Sequence, residues 1–288
     1  MKIMPFSENC GAVVSDIQLA ELNDAELKDL RGLLAEHGLL FFRAQNLPPK
    51  EHERFASRFG EIVLNKFFRP VENFPNIATV SKEKNHKTNI GGAWHTDHSY
   101  DEEPALGSIL VARQLPSRGG NTQFANMYGA YEDLSDGLKQ TLESLRAVHS
   151  NVHIYGKDGL FSKSDIAETL GGKDRVGKAL HPVVISHPIS GKKALYVNPV
   201  HTIHFEGWTI EESCPLLDYL YKHSAQPKYT CSFNWEPGSV AFWDNRSTWH
   251  LANNDYQGEA RLMHRITLAG APLVGVPGEI LIQAAIGS

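Results

Sequence analysis

Cysteine is scarce and unpaired in this chain. Cys10, Cys214 and Cys231 are far apart and odd in number, and no CxxC occurs. That spacing offers no disulfide framework, and a reducing, cytoplasmic setting is the default expectation. Long apolar runs are missing as well: nothing approaches the roughly 20 residues of a membrane helix. The opening MKIMPFSENCG has no apolar core of a secretory signal. Basic charge is not in excess. With 28 Lys and Arg against 33 Asp and Glu the net charge is -5, and the basic residues form no run. A nucleic-acid partner is therefore not expected. Repeats, low-complexity tracts and Pro/Ser linkers are absent too. The 288 residues read as one domain, 1–288, long enough for one large core.

What is present is a mixture of helix and strand signals. Residues 23–37 (NDAELKDLRGLLAEH) form an amphipathic helix, with Asn23 or Asp24 at its N-cap and Gly38 past its end. Residues 39–43 (LLFFR) make a short buried strand, and 48–59 a second helix opened by Pro-Pro. Strands are expected at 76–80 and 106–113. A helix is expected over 129–145, with Leu134, Leu138, Leu142 and Leu145 on one stripe. Residues 155–180, rich in Gly, Lys, Ser and Asp, read as a mobile excursion from the core. Strands resume at 182–186 and 194–197 around the turn HPISGK. A helix follows at 210–224, then a run of strands from 229 to 271. The fold class is mainly β with flanking helices: an antiparallel sandwich or barrel with helices packed outside.

The chemistry concentrates in GGAWHTDHSY and WDNRSTWHLA. On extended backbone, residues i and i+2 point to one side, so His95 and Asp97 can grip one ion together. His250, in a turn-bounded segment between two strands, supplies a third ligand. Two nitrogens and one carboxylate oxygen cover one face of an octahedral metal and leave the other open, the pattern of non-haem Fe(II) oxygenases. Gly91-Gly92 beside Trp94 lets backbone approach closely. Downstream, Arg261 and Arg265 in ARLMHRITLAG share one face of a strand, with Met263 between them. Two guanidinium groups aimed into a core are costly unless each meets an anion. Arg suits carboxylates and sulfur oxyanions because its planar fork binds them bidentately. Thr122, after a Gly-Gly turn, is a candidate donor to one of those anions.

The stretches WHTDHSY, GGNTQFANMYGAYEDLS, HP…GKKALYVN and FWDNRSTWHLANNDY…RLMHR resemble the TauD/TfdA-like Fe(II)- and 2-oxoglutarate-dependent dioxygenases over roughly residues 8–272. The resemblance implies a double-stranded β-helix (jelly-roll, cupin-like) core. It implies Fe(II) on His95, Asp97 and His250. It places the distal carboxylate of 2-oxoglutarate on Thr122 and Arg261, the anionic head of the substrate on Arg265, and Trp243 as an aromatic near the iron. The implied reaction consumes O2, converts 2-oxoglutarate to succinate and CO2, and hydroxylates a substrate C–H bond.

The chain departs from the taurine-specific members. Their sulfonate-binding His has no counterpart; Asn65, or Lys66 beside it, stands in that loop. Gly91 replaces an Asn before the first ligand. His98 and His201 make the pocket more polar, either by binding substrate or by structural hydrogen bonding, while Tyr100 keeps an aromatic wall. The expected substrate is a small organic anion: a carboxylate, sulfonate or sulfate ester. The excursion at 155–180 is a candidate lid. A sensor that binds metal and 2-oxoglutarate without turnover, and a cupin-type enzyme using another ion, are the alternatives. A homodimer or homotetramer is compatible with the helical face near 210–224.

Overall fold

The structure, a computed structural model, describes residues 1–64, 67–166 and 176–276. Two facing sheets make the centre. Their strands are β1 (Leu39–Phe42), β2 (Phe74–Lys82), β3 (Gly107–Gln114), β4 (Thr122–Asn126), β5 (Thr230–Phe233), β6 (Val240–Asp244), β7 (Thr248–Ala252) and β8 (Arg261–Leu268). The larger sheet runs β1–β6–β3–β8–β2, antiparallel throughout this stretch, and Ala12–Ser15 extends it in parallel beyond β1. The smaller runs β5–β4–β7. From β5 onward the chain alternates between the sheets, which is the winding of the expected double-stranded β-helix.

Side-chain alternation explains why β1 reads as an unbroken apolar run. Leu39 and Phe41 point between the sheets and pack with Phe124, Phe233, Trp243 and Met263. Leu40 and Phe42 point outward and pack beneath helices α1 (Asp24–His37) and α2 (Pro49–Phe59), against Leu30, Leu34, Phe55 and Phe59. A strand covered on both faces loses the polar half of its period. The outer face of the smaller sheet is covered in turn by α3 (Met127–Glu132), α4 (Asp136–Glu143) and, after the short α5 (Val152–Tyr155), α6 (Ile210–Ser224).

Helix α1 starts on a reciprocal Asn23/Glu26 capping box and stops at Gly38, whose φ of 69° is left-handed. A Cβ there would lie 2.6 Å from Ser247 Oγ, so both backbone conformation and space demand glycine.

Three expectations change. The helix over 129–145 is two helices. Asp133 is drawn out by Lys228 and Tyr229, which donate to its carboxylate at 2.7 and 2.8 Å, and Ser135 takes extended backbone before α4. Tertiary contacts outweigh helix propensity here, although Leu134, Leu138, Leu142 and Leu145 still share one apolar cluster. The excursion also ends early: Lys178–Pro182 is a strand paired with Arg146–Ser150. Finally, His250 is not between strands but in the middle of β7. Among the described residues, no helix is long and apolar enough to cross a membrane.

Candidate metal centre and binding cavity

His95 and His250 are held to each other by backbone. They form an isolated antiparallel bridge, with His95 N–H donating to His250 O at 3.1 Å and the reverse bond at 2.9 Å. The extended backbone expected for the HxD motif exists at this bridge; a turn follows over 97–100. Thr96 points away from the cavity and donates to Asn245 O and Thr248 O, at 2.9 and 2.8 Å, fixing the motif from behind. Gly91 tucks beneath it with φ 77°, where a Cβ would come within 3.2 Å of His95 Cε1.

The three side chains converge. One ligand atom from each of His95, Asp97 and His250 lies within 4.8 Å of the others. Asp97 Oδ1 is 3.7 Å from His95 Nε2, and its Oδ2 is 3.5 Å from His250 Nε2. His95 Nδ1 lies 2.8 Å from Ala93 O. A proton on that Nδ1 leaves the Nε2 lone pair free for a metal. Burial pushes the His250 imidazole well below its usual pKa, with His95 adding to the effect, so it stands neutral. Burial pushes Asp97 upward, but Arg265, His250 and His95 outweigh it and hold the carboxyl far below its ordinary range. A neutral His250, a His95 whose Nδ1 faces Ala93 O and an ionised carboxylate fit Fe(II).

The two arginines differ in their surroundings. Arg265 donates through Nε and Nη2 to Ser108 Oγ, at 3.0 and 2.7 Å, and through Nη2 to Asp97 Oδ2 at 2.5 Å. Arg261, 6% exposed, contacts Thr122 Oγ1 at 3.5 Å, and its Nε is buried without a hydrogen bond. Burial lowers its pKa, opposed by Tyr256. Thr122 Oγ1 also accepts from Trp235 Nε1 at 3.0 Å. A hydroxyl that accepts from both neighbours has its own proton free for an anion. An uncompensated guanidinium beside a free hydroxyl donor fits a carboxylate such as the distal end of 2-oxoglutarate.

A cavity of about 370 Å³ joins these groups, and it is lined by every described candidate: His95, Asp97, His98, Tyr100, Thr122, His201, Trp243, His250, Arg261 and Arg265. Asn65 and Lys66 lie outside the described residues. The Trp243 ring lies tilted against His250, 4.7 Å between centroids, and is fixed by Asn245 Oδ1, which accepts from its Nε1 at 3.0 Å. His98, at φ 58°, pairs its Nδ1 with Asp101 Oδ2 at 2.9 Å while its ring faces the cavity. His201 is 4% exposed, its ring 4.9 Å from Tyr100, and its Nδ1 is buried without a partner. Sequence reasoning missed Ser108, Trp235 and an apolar wall of Phe67, Ile154, Tyr155, Leu160 and Phe161. Ser108 left a faint signal, a hydroxyl on the inward parity of an otherwise apolar strand. The wall left none.

Residues 2–267 match the family described as taurine catabolism dioxygenase TauD, TfdA family. The chain belongs to the TauD/TfdA family. It is 36% identical over 287 residues to an alkylsulfatase of Acinetobacter baylyi, spanning 96% of this chain and 88% of that one. It is 32% identical over 289 residues to an alpha-ketoglutarate-dependent sulfate ester dioxygenase of Pseudomonas putida, spanning 97% and 93%. The crystal structure of a taurine dioxygenase from Burkholderia xenovorans superposes with a TM-score of 0.81 at 33% identity, covering 96% of this chain and 93% of that one. This TauD/TfdA member is a 2-oxoglutarate-dependent dioxygenase that uses Fe(II), 2-oxoglutarate and O2. Relatives with this reach are named as enzymes, which favours turnover over a sensor.

Proposed function

We propose that this dioxygenase hydroxylates a C–H bond of an organic anion with an apolar body: a carboxylate, sulfonate or sulfate ester. The observation that carries the reading is Arg261, a buried guanidinium lining the same cavity as the His–Asp–His cluster and, among the described residues, paired with no acid. A buried cation without a counter-ion is costly, and a dicarboxylate cosubstrate supplies the missing charge. His95, Asp97 and His250 are the Fe(II) ligands in this reading. Thr122 and Arg261 receive the distal carboxylate of 2-oxoglutarate. Arg265, braced by Ser108, faces the anionic group of the substrate.

When bound, iron, 2-oxoglutarate and O2 would together supply the oxidant that replaces a substrate hydrogen with hydroxyl, one oxygen atom going to the substrate and the other to succinate as CO2 is released. The chain's own residues position and protect. Ser108 fixes the direction of Arg265, and Arg265 keeps Asp97 ionised. Tyr100, His98 and His201 form the polar side of the substrate space. Phe67, Tyr155 and Phe161 form the apolar side, with ring centroids 4.5 and 5.7 Å apart in succession. Tyr155 and Phe161 belong to α5 and the 3-10 turn Leu160–Lys163, which roof the cavity. Residues 155–163 are the part of the 155–180 candidate lid that meets the cavity, and we assign them as a lid that keeps water from the reaction; 167–175 lie outside the described residues. If the substrate is a sulfate ester or sulfonate, hydroxylation beside the heteroatom gives a product that collapses to an aldehyde and sulfate or sulfite. A carboxylic acid gives a stable alcohol.

The test is succinate formation by enzyme loaded anaerobically with Fe(II), then given 2-oxoglutarate and O2 with alkyl sulfates, sulfonates, aryloxy acids or simple carboxylates. One class is expected to stimulate turnover strongly, and His95→Ala to abolish it. Wild-type turnover by the variant would remove the iron assignment.

A further inference from the structure

Lys82, the last residue of β2, stands directly opposite Arg261 of β8. Opposed residues in an antiparallel pair point to the same face, with Cβ atoms about 5 Å apart. Lys82 is accordingly interior, 4% exposed. Lysine is almost never buried this far without a partner of opposite charge. Its polar contact here is a long hydrogen bond to Gln257 Oε1, 3.4 Å, and among the described residues neither Lys82 nor Arg261 forms an ion pair. The ammonium rests instead on the Tyr256 ring, 4.5 Å from its centroid. Tyr256 in turn reaches Arg261. A Cβ built on Gly120 would meet Arg261 Cδ at 3.3 Å and Tyr256 Cδ1 at 3.4 Å, so the two side chains flank one point. Trp235 closes the other side, 5.7 Å from the guanidinium carbon.

We propose that Lys82 is a second cation of the cosubstrate pocket, a positioning residue that presses Tyr256 against Arg261 and adds its charge where a carboxylate binds. The inference rests on the reading of Arg261 given above. An apolar side chain would fill the same interior space and hold Tyr256 by packing alone. Lys82 stands behind Arg261 rather than in the cavity lining, so its charge would reach an anion between β8 and β4 through the Tyr256–Arg261 pair. Lys82 therefore acts through charge as well as shape.

The experiment is calorimetric titration of the Mn(II)-loaded protein with 2-oxoglutarate, for wild type, Lys82→Met, Lys82→Arg and Arg261→Gln. Lys82→Met is expected to weaken binding about five- to tenfold, with Lys82→Arg restoring most of it. In steady state the loss falls on KM for 2-oxoglutarate more than on kcat. Wild-type affinity in Lys82→Met, alongside weakened Arg261→Gln, overturns the role of Lys82 while leaving Arg261 in place. Wild-type affinity in both overturns the Arg261 reading itself. An equal loss of metal, cosubstrate and thermal stability that Lys82→Arg does not restore shows a purely structural lysine and also overturns the proposal. Should Lys82→Met fail to fold, Lys82→Gln is titrated against the same outcomes.

Discussion

Arg265 must neutralise Asp97 and still face a substrate anion, and a flexible guanidinium would satisfy the first at the expense of the second. Ser108 prevents this by accepting from both Nε and Nη2. Ser108→Ala is expected to raise KM for the organic substrate about tenfold or more, the worth of one hydrogen bond to a charged group. KM for 2-oxoglutarate should change little, and steady-state kinetics with each reactant varied separates the two. Gly91→Ala tests the other side of the site. The left-handed φ costs an alanine about 1–2 kcal/mol, and its Cβ would push on His95. A lowered Tm together with weaker metal binding is expected; unchanged metal affinity would show that His95 yields freely. At this scale the sequence was informative about groups that share a short segment. His95 with Asp97, and Arg261 with Arg265, are set by i+2 and i+4 spacing. Ser108 showed only as an inward hydroxyl on an apolar strand, because its role depends on a register with a strand more than a hundred residues away. Trp235 and Lys82 were hidden for the same reason.

Helices α1, α2 and α6 were readable from caps and periodicity, since their ends are fixed by local hydrogen bonds such as the Asn23/Glu26 and Thr209/Glu212 boxes. The division between α3 and α4 was not, because the pull on Asp133 comes from Lys228 and Tyr229. The strand at Lys178–Pro182 was masked by its polar flanks and identified only by its pairing. The roof made by α5 and the following turn gives a prediction of its own. Phe161→Ala removes one ring of the apolar wall and is expected to raise KM for apolar-bodied anions about tenfold, as burial of an aromatic ring contributes a kcal/mol or more. Succinate formed without hydroxylated product should increase as water enters. Tight coupling with unchanged KM would show that the roof does not act as a lid.

In the whole molecule, α2 lies on the larger sheet and carries His52 into the interior, fully buried. Burial, then the charge of Arg113 and His264, lowers its pKa from 6.5 to about 3. The unfolded chain takes up this proton first as pH falls below about 6.5. Stability attached to neutral His52 is therefore present above that pH and lost progressively down to about pH 3, at up to about 1.4 kcal/mol per pH unit. His264, lowered to about 4, acts in the same direction. His52→Leu, similar in bulk, is expected to flatten the decline between pH 6.5 and 4 in urea unfolding; an unchanged slope would assign acid sensitivity elsewhere. The layering around the two sheets has a further consequence through the backbone bridge between His95 and His250. Both histidines are mounted on the sheet framework, whereas the apolar wall comes from the separate segments around 67 and 154–161. In this reading the iron ligands and the anion-binding Arg265 sit on the framework, while the fit to the substrate's apolar body is housed in separate segments. Exchanging the wall segments for those of another family member should retune which molecule is oxidised while the oxidising machinery stays in place.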